Sequence, residues 1–177
     1  MTDTLFFDTD CLSAFLWVND QSLLAELYSG KIVIPKQVYD ELSNPRVTHL
    51  KARIDTLLLN SDAELATILM GTEEYALYRT MTDNPEPGHI AIGKGEASAL
   101  AMAKVRGGIV ASNNLRDVKA YVKEFGLKLV TTGDILKEAL EKGLISEEEG
   151  NSLWKDMLKK RRKLGYNSFS EFLETTL

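Results

Sequence analysis

Leu5-Phe6-Phe7-Asp8-Thr9-Asp10-Cys11-Leu12 opens the chain with a bulky apolar run, followed by two carboxylates at i and i+2. Leu5, Phe6 and Phe7 show no polar alternation, which predicts a short strand buried on both faces. Asp8 falls where that strand ends. In an open parallel sheet the carboxyl ends of the strands are where ligands bind. Asp8 is therefore a candidate for the first of several acids converging on a divalent metal. An Asp after a strand is also an ordinary helix cap, so the functional reading depends on which other acids reach the same edge.

Downstream, apolar runs and helical patterns alternate. Cys11 to Trp17 and Gln21 to Tyr28 read as helices, the second stopped by Gly30. Ile32-Val33-Ile34 is a second buried strand, and Pro35 suits the start of a helix ending near Ser43. His49 to Leu59 is a helix, Leu65 to Leu69 a strand, and Thr72 caps a helix reaching Met81. Gly95 to Ala103 is a small-residue helix able to lie close to a sheet, followed by the strand Ile109-Val110-Ala111 and the polar turn Ser112-Asn113-Asn114. Val118 to Phe125 is helical, Leu127 to Val130 a strand and Thr132 to Glu141 a helix. Ser146 with Glu149 forms a capping-box pattern for a helix to about Lys163, and Ser168 to Leu173 is a last short helix. This order implies a three-layer α/β/α domain with a central parallel sheet of about five strands. It spans residues 1–177, with the C-terminal helices (about 146–177) packed outside or reaching away.

The formal charge of −5 excludes a broadly basic nucleic-acid binder but leaves room for a local basic patch. A single cysteine, Cys11, provides neither a disulfide framework nor a thiolate metal cluster, which fits a reducing cytoplasm. Met1-Thr2-Asp3-Thr4 lacks the features of a signal peptide, and no run approaches a membrane span.

Four acids stand at telling places. Asp8 ends a strand, Glu41 lies in the helix after Ile32-Val33-Ile34, and Glu96 lies in the first turn of the alanine-rich helix. Asp117 follows Ile109-Val110-Ala111 and its turn. Carboxylates brought together repel unless a cation neutralises them. A hard cation such as Mg²⁺ takes oxygen ligands and keeps several waters, the arrangement used for phosphodiester hydrolysis. Taken singly, each acid is better explained as a helix cap, a dipole partner or a solvated side chain; the joint placement carries the argument. Asp10, Asp40 and Asp134 rank lower, as a cap, an outward helix residue and a helix-start acid.

In order and spacing, these segments resemble the PIN-domain family. Leu5 to Leu12 is similar to that family's opening strand and Asp-Thr-Asn/Asp. Ile34-Pro35-Lys36-Gln37-Val38-Tyr39-Asp40-Glu41-Leu42 is similar to its Pro-started helix with a metal-site Glu, and Gly95-Glu96-Ala97-Ser98-Ala99-Leu100-Ala101 to its Gly-Glu-Ala element. Thr132-Gly133-Asp134-Ile135-Leu136 through Gly143-Leu144-Ile145 resembles one branch of it. PIN domains are metal-dependent nucleases, mostly of RNA, and many are toxins of toxin–antitoxin pairs. The resemblance implies Mg²⁺ or Mn²⁺ as cofactor and Asp8, Glu41 and Glu96 as catalytic metal-site acids, with RNA and an antitoxin, or a homo-oligomer, as partners. Many members carry an Asp two residues after the Ser/Thr that closes the third strand; here that position is Asn114. A family variant, Thr-Arg-Asn-x-x-Asp, matches at Asn114 and Asp117, which makes Asp117 the fourth acid and Asn114 a neutral ligand or neighbouring oxygen.

Arg116 and Lys119 are placed to meet RNA phosphates, and Lys155, Lys159, Lys160, Arg161, Arg162 and Lys163 form the one basic cluster, either a solvated helix end or a phosphate grip. Trp17 and Trp154 read as core or interface, and His49 and His89 have no ligand-like spacing. Two other classes compete. A PIN fold that has lost catalysis would serve as a scaffold or RNA-binding subunit, with Asn113 and Asn114 as its support. Asp8-Thr9-Asp10 also resembles the first motif of haloacid-dehalogenase-type phosphatases, with Asp8 as nucleophile and Asp10 as general acid, but the later residues leave no room for that family's order.

Overall fold

The structure, a computed structural model, describes residues 3–177. Five strands, β1 (Leu5–Phe7), β2 (Ile32–Pro35), β3 (Ala63–Ala66), β4 (Ile109–Ala111) and β5 (Lys128–Val130), form one parallel sheet in the order β3-β2-β1-β4-β5. The helices are α1 (Thr9–Trp17), α2 (Gln21–Tyr28), α3 (Lys36–Leu42), α4 (Thr48–Leu59), α5 (Glu73–Asp83), α6 (Lys94–Arg106), α7 (Leu115–Phe125), α8 (Thr132–Glu141), α9 (Glu147–Lys159) and α10 (Phe169–Thr175).

Because successive strand side chains point to opposite faces, the apolar run of β1 serves two cores. Leu5 and Phe7, with Ile32 and Ile34, face a cluster built with α1, α2, α3, α4, α8, α9 and α10. Phe6, with Val33 and Val110, faces a second cluster built mainly from α5, α6 and α7. The result is the three-layer α/β/α arrangement expected from the alternation of elements. Ala97, Ala99, Ala101 and Ala103 of α6 are fully buried, and their short side chains let this helix lie close to the sheet.

The strand order has a functional consequence. The chain steps outward from β1 to β2 and β3, then returns to place β4 on the other side of β1. Connections leaving β1 and β4 therefore diverge and open a crevice at their carboxyl ends, the switch point where ligands of open α/β sheets bind.

Two expectations need correction, and a third is narrowed. The third strand is Ala63–Ala66 rather than Leu65 to Leu69, since Ala63 and Ala66 are the buried positions while Leu65 and Leu69 are 38% and 63% exposed. An edge strand has no partner on its outer side, so the apolar run continues past the sheet into a surface loop. Secondly, α9 stops at Lys159, short of Lys163. Arg161 adopts φ 59°, and the N–H groups of Arg161 and Arg162 donate to the carbonyls of Leu158 and Met157 at 2.9 and 3.0 Å, a Schellman closure with Arg where Gly is usual. Of the two placements expected for the C-terminal helices, packed outside or reaching away, the structure takes the packed one. Trp154, Met157, Phe169 and Phe172 join the same buried cluster as Leu12 and Phe15. Gly150 and Gly133 make this possible, because a Cβ on either would lie within 2.3–2.6 Å of the Phe169 or Phe172 ring.

Candidate active site

Asp8 continues the ladder of β1, with its N–H donating to Ala111 O at 3.0 Å, and then caps α1. Its Oδ1 accepts from the Cys11 N–H at 2.8 Å. Its Oδ2 is buried with no partner at hydrogen-bond geometry, and the residue as a whole is 0% exposed. The cap and the candidate acid are thus the same carboxyl group, one oxygen each. Burial pushes its pKa from 3.8 to about 8; the dipole of the nearby Ser112 hydroxyl and the Cys11 N–H oppose that rise, while the charges of Glu96 and Asp10 add to it. An uncompensated carboxylate in such a place is costly, so Asp8 without a cation is held largely as the neutral acid.

Glu96 sits in the first turn of α6, half-buried. Asp117 sits in the first turn of α7. Between them lies Asn114, whose Nδ2 donates to Glu96 Oε1 at 3.0 Å and to Asp117 Oδ2 at 2.9 Å. One amide NH₂ thereby bridges two carboxylates. The Asn114 backbone N–H in turn donates to Ser112 Oγ at 3.1 Å, which anchors the turn to the end of β4. The amide nitrogen, rather than the oxygen, faces both acids.

Glu41 approaches from α3. Its Oε2 accepts from the Thr9 hydroxyl at 2.5 Å, and both groups press on Gly95, where a Cβ would lie 2.5 Å from Thr9 Oγ1 and 3.3 Å from Glu41 Oε2. Gly95 precedes Glu96, so Glu41 reaches the same edge as the other acids. The edge thus carries two neighbouring groups, Asp8 with Glu96, Asn114 and Asp117, and Glu41 with Thr9. Among the described residues, no three His, Cys, Asp or Glu side chains are gathered closely enough to hold a metal ion. Such a cage is not what Mg²⁺ requires, since it commonly binds through one or two carboxylates, several waters and the substrate phosphate. The unpartnered Oδ2 of Asp8 beside the Glu96–Asp117 pair suits that mode.

The lower-ranked acids point elsewhere. Asp40 pairs with Lys36, and Asp134 closes a capping box with Thr131. Asp10 lines a separate cavity with Arg161, Arg162 and Lys163. Arg116 and Lys119 are exposed on α7, flanking Asp117. Lys159 pairs with Asp156 at 3.0 Å. Trp154 is fully buried, its Nε1–H donating to Tyr166 O at 3.0 Å. His89 stacks on Tyr121 and pairs with Glu124, and His49 lies edge-on to Trp17.

Two residues escaped sequence reasoning. Thr9 was legible only as part of a strand-end motif, yet it holds Glu41. Asn113 read, with Asn114, only as support for a PIN fold without catalysis. Instead it joins α8 to the acid-bearing turn, its Nδ2 donating to Thr132 Oγ1 and its Oδ1 accepting from the Thr132 N–H, both at 2.8 Å.

No curated protein matches the chain. Among solved structures, VapBC2 from Rickettsia felis bound to a DNA fragment from its promoter is similar at 17% identity and a TM-score of 0.49, over 72% of this chain and 98% of that one. A family model described as PIN domain (DUF3368) matches residues 4–176. That match takes the place of the haloacid-dehalogenase alternative, and the chain belongs to the PIN-domain family.

Proposed function

We propose that this protein is a metal-dependent endoribonuclease, acting as the toxin of a toxin–antitoxin pair, with Asp8, Glu41, Glu96 and Asp117 as its working acids. The observation that carries the reading is the buried, unpartnered Oδ2 of Asp8 at the switch point of the sheet, beside the Glu96–Asn114–Asp117 bridge. Mg²⁺ or Mn²⁺ bound at this edge supplies a water of lowered pKa and charge stabilisation at phosphorus. Asp8 would hold such a cation as the carboxylate, since a bound positive charge would offset the cost of burying a lone negative one. Glu96 and Asp117 stand beside Asp8, joined by Asn114, and Thr9 holds the Glu41 carboxylate at the same edge. Arg116 and Lys119 offer exposed cations to the substrate backbone. The antitoxin partner and a cytoplasmic setting rest on the family resemblance; no helix among the described residues is long and apolar enough to cross a membrane.

Cleavage of a labelled single-stranded RNA with Mn²⁺ tests the proposal. Activity is expected to vanish in excess chelator and in Glu96→Gln; full activity with chelator present would refute it. A second reading, a PIN fold without catalysis that binds RNA or serves as a scaffold, is favoured by Asn114, whose amide satisfies Glu96 and Asp117 without any cation. RNA binding with no cleavage at any Mn²⁺ concentration would establish that reading.

Gly95→Ala separates geometry from stability. Alanine favours a helix by roughly 1 kcal/mol over glycine, but its methyl group would push Thr9 away from Glu41. Misplacement of a catalytic group by about 1 Å costs on the order of 10²-fold in rate. The expected variant melts within about 1 kcal/mol of the parent, the helix gain offsetting part of the steric cost, yet cleaves about 10²-fold more slowly. Paired melting curves and initial rates check this, and an undiminished rate would remove Glu41 from the site.

A further inference from the structure

Beside the acids lies a second, basic feature. A cavity of about 200 Å³ is lined by Asp10, Arg161, Arg162 and Lys163. Its acidic wall, Asp10 in the first turn of α1, is close enough to Asp8 for its charge to act on the Asp8 carboxyl, so the cavity neighbours the acidic edge.

The cavity wall is held in place. Arg161 occupies the left-handed region at φ 59°, a conformation that is unfavourable for any residue with a Cβ and that turns the chain sharply back toward α1. Arg162 is pinned on three sides: Nη1 donates to Ser13 Oγ at 3.0 Å, Nε donates to Lys160 O at 3.0 Å, and the guanidinium lies 5.8 Å from the Trp17 ring centre. Lys160 lies over the same ring at 5.7 Å. Among the described residues, neither Arg161, Arg162 nor Lys163 is in an ion pair, whereas Lys159 close by has Asp156. Three cations therefore face one carboxylate, Asp10, in a protein whose net charge is −5. The Schellman closure of α9 accounts for the backbone at Arg161, but a solvated helix end would need neither the side-chain anchorage of Arg162 nor three cations without ion pairs around one cavity.

We infer that this cavity is a phosphate-binding pocket for single-stranded RNA, gripping the backbone of a nucleotide next to the one cleaved. The inference rests on the nuclease reading for the position of the cut but not for the pocket itself. Its consequence is a substrate class. The protein should act on oligonucleotides that extend across α1 and hold small phosphodiesters poorly, since these have no second phosphate to place there. Arginine suits the task because its planar fork pairs with phosphate oxygens.

The test uses the double variant Arg161→Gly/Lys163→Gln, which removes two cations while relieving the backbone at residue 161. Glycine accepts that conformation freely, so the variant should melt no lower than the parent. Binding of a labelled ten-nucleotide RNA is followed by fluorescence anisotropy in excess chelator across a salt series, so that no cleavage occurs. Repulsion from the acids is common to both proteins and cancels in the comparison. Each lost phosphate contact should lower the slope of log K against log[salt] by about 0.7 for a single strand, hence about 1.4 for two. That result supports the pocket even if the parent never cleaves RNA with Mn²⁺, in which case only the nuclease reading falls. An unchanged slope and affinity overturns the pocket whether or not cleavage is seen, and assigns the cluster to an acidic protein segment or to solvent.

Discussion

Asp8→Asn is expected to lower RNA cleavage by 10³-fold or more while making the metal-free protein more stable, by a margin that grows between pH 3.8 and about 8. The activity loss follows from removing a charged ligand whose contribution to transition-state stabilisation is several kcal/mol. The stability gain follows from burial. In the folded chain Asp8 titrates at about 8, against 3.8 when unfolded. Between those values the native state keeps a proton that the unfolded state has released, so stability falls as pH rises, by roughly 1.4 kcal/mol per pH unit at most. Above the folded value no further loss accrues. Asparagine never ionises and is an equally good cap for the Cys11 N–H, so the variant lacks this slope. Melting curves in chelator at pH 5 and pH 8 decide the matter. The advantage of the variant should be larger at pH 8, and an equal advantage at both would mean that Asp8 is ionised throughout.

Asn114→Asp reverses the balance between the metal-free and metal-bound forms. Its amide now supplies donors to two carboxylates; an aspartate would remove both hydrogen bonds and add a third negative charge. The expected cost without metal is about 1–3 kcal/mol. A hard dication gains from the added charge, so Mn²⁺ should bind at least about tenfold more tightly, a difference of about 1.4 kcal/mol, and the stabilisation on adding Mn²⁺ should exceed that of the parent. Calorimetric titration of both proteins provides the measurement. Equal or weaker affinity would show that the Asn114 side chain has no part in holding a cation.

Much of the fold could be read from local pattern, because buried parallel strands leave short apolar runs and helices leave capping signals. Thr131 with Asp134 and Ser146 with Glu149 are closed capping boxes, and the Ser146 box was visible in the sequence as a residue pattern. The strand order was not, because which side of β1 receives β4 depends on how whole layers pack. The acids could be named, but Asn113 could not be placed. Its partner, Thr132, is nineteen residues away, and nothing in its immediate neighbours distinguishes a tie from a vacant ligand position. The limits of α9 and β3 were misread for local reasons, an arginine in a glycine conformation and an apolar run that outlasts its strand.

The seating of α10 also bears on the order in which the edge of the sheet is completed. Phe172 covers Gly133 at the start of α8, and Thr132 beside it ties to Asn113, one residue from Asn114. During synthesis Asp8, Glu41, Glu96 and Asp117 all emerge well before α10 exists. Until that helix arrives, the Gly133 surface stays open and the tie at Thr132 rests on an uncovered helix end. The nascent chain thus carries all four candidate acids before it carries the segment that braces the turn, so the turn is the last part of that edge to be made rigid.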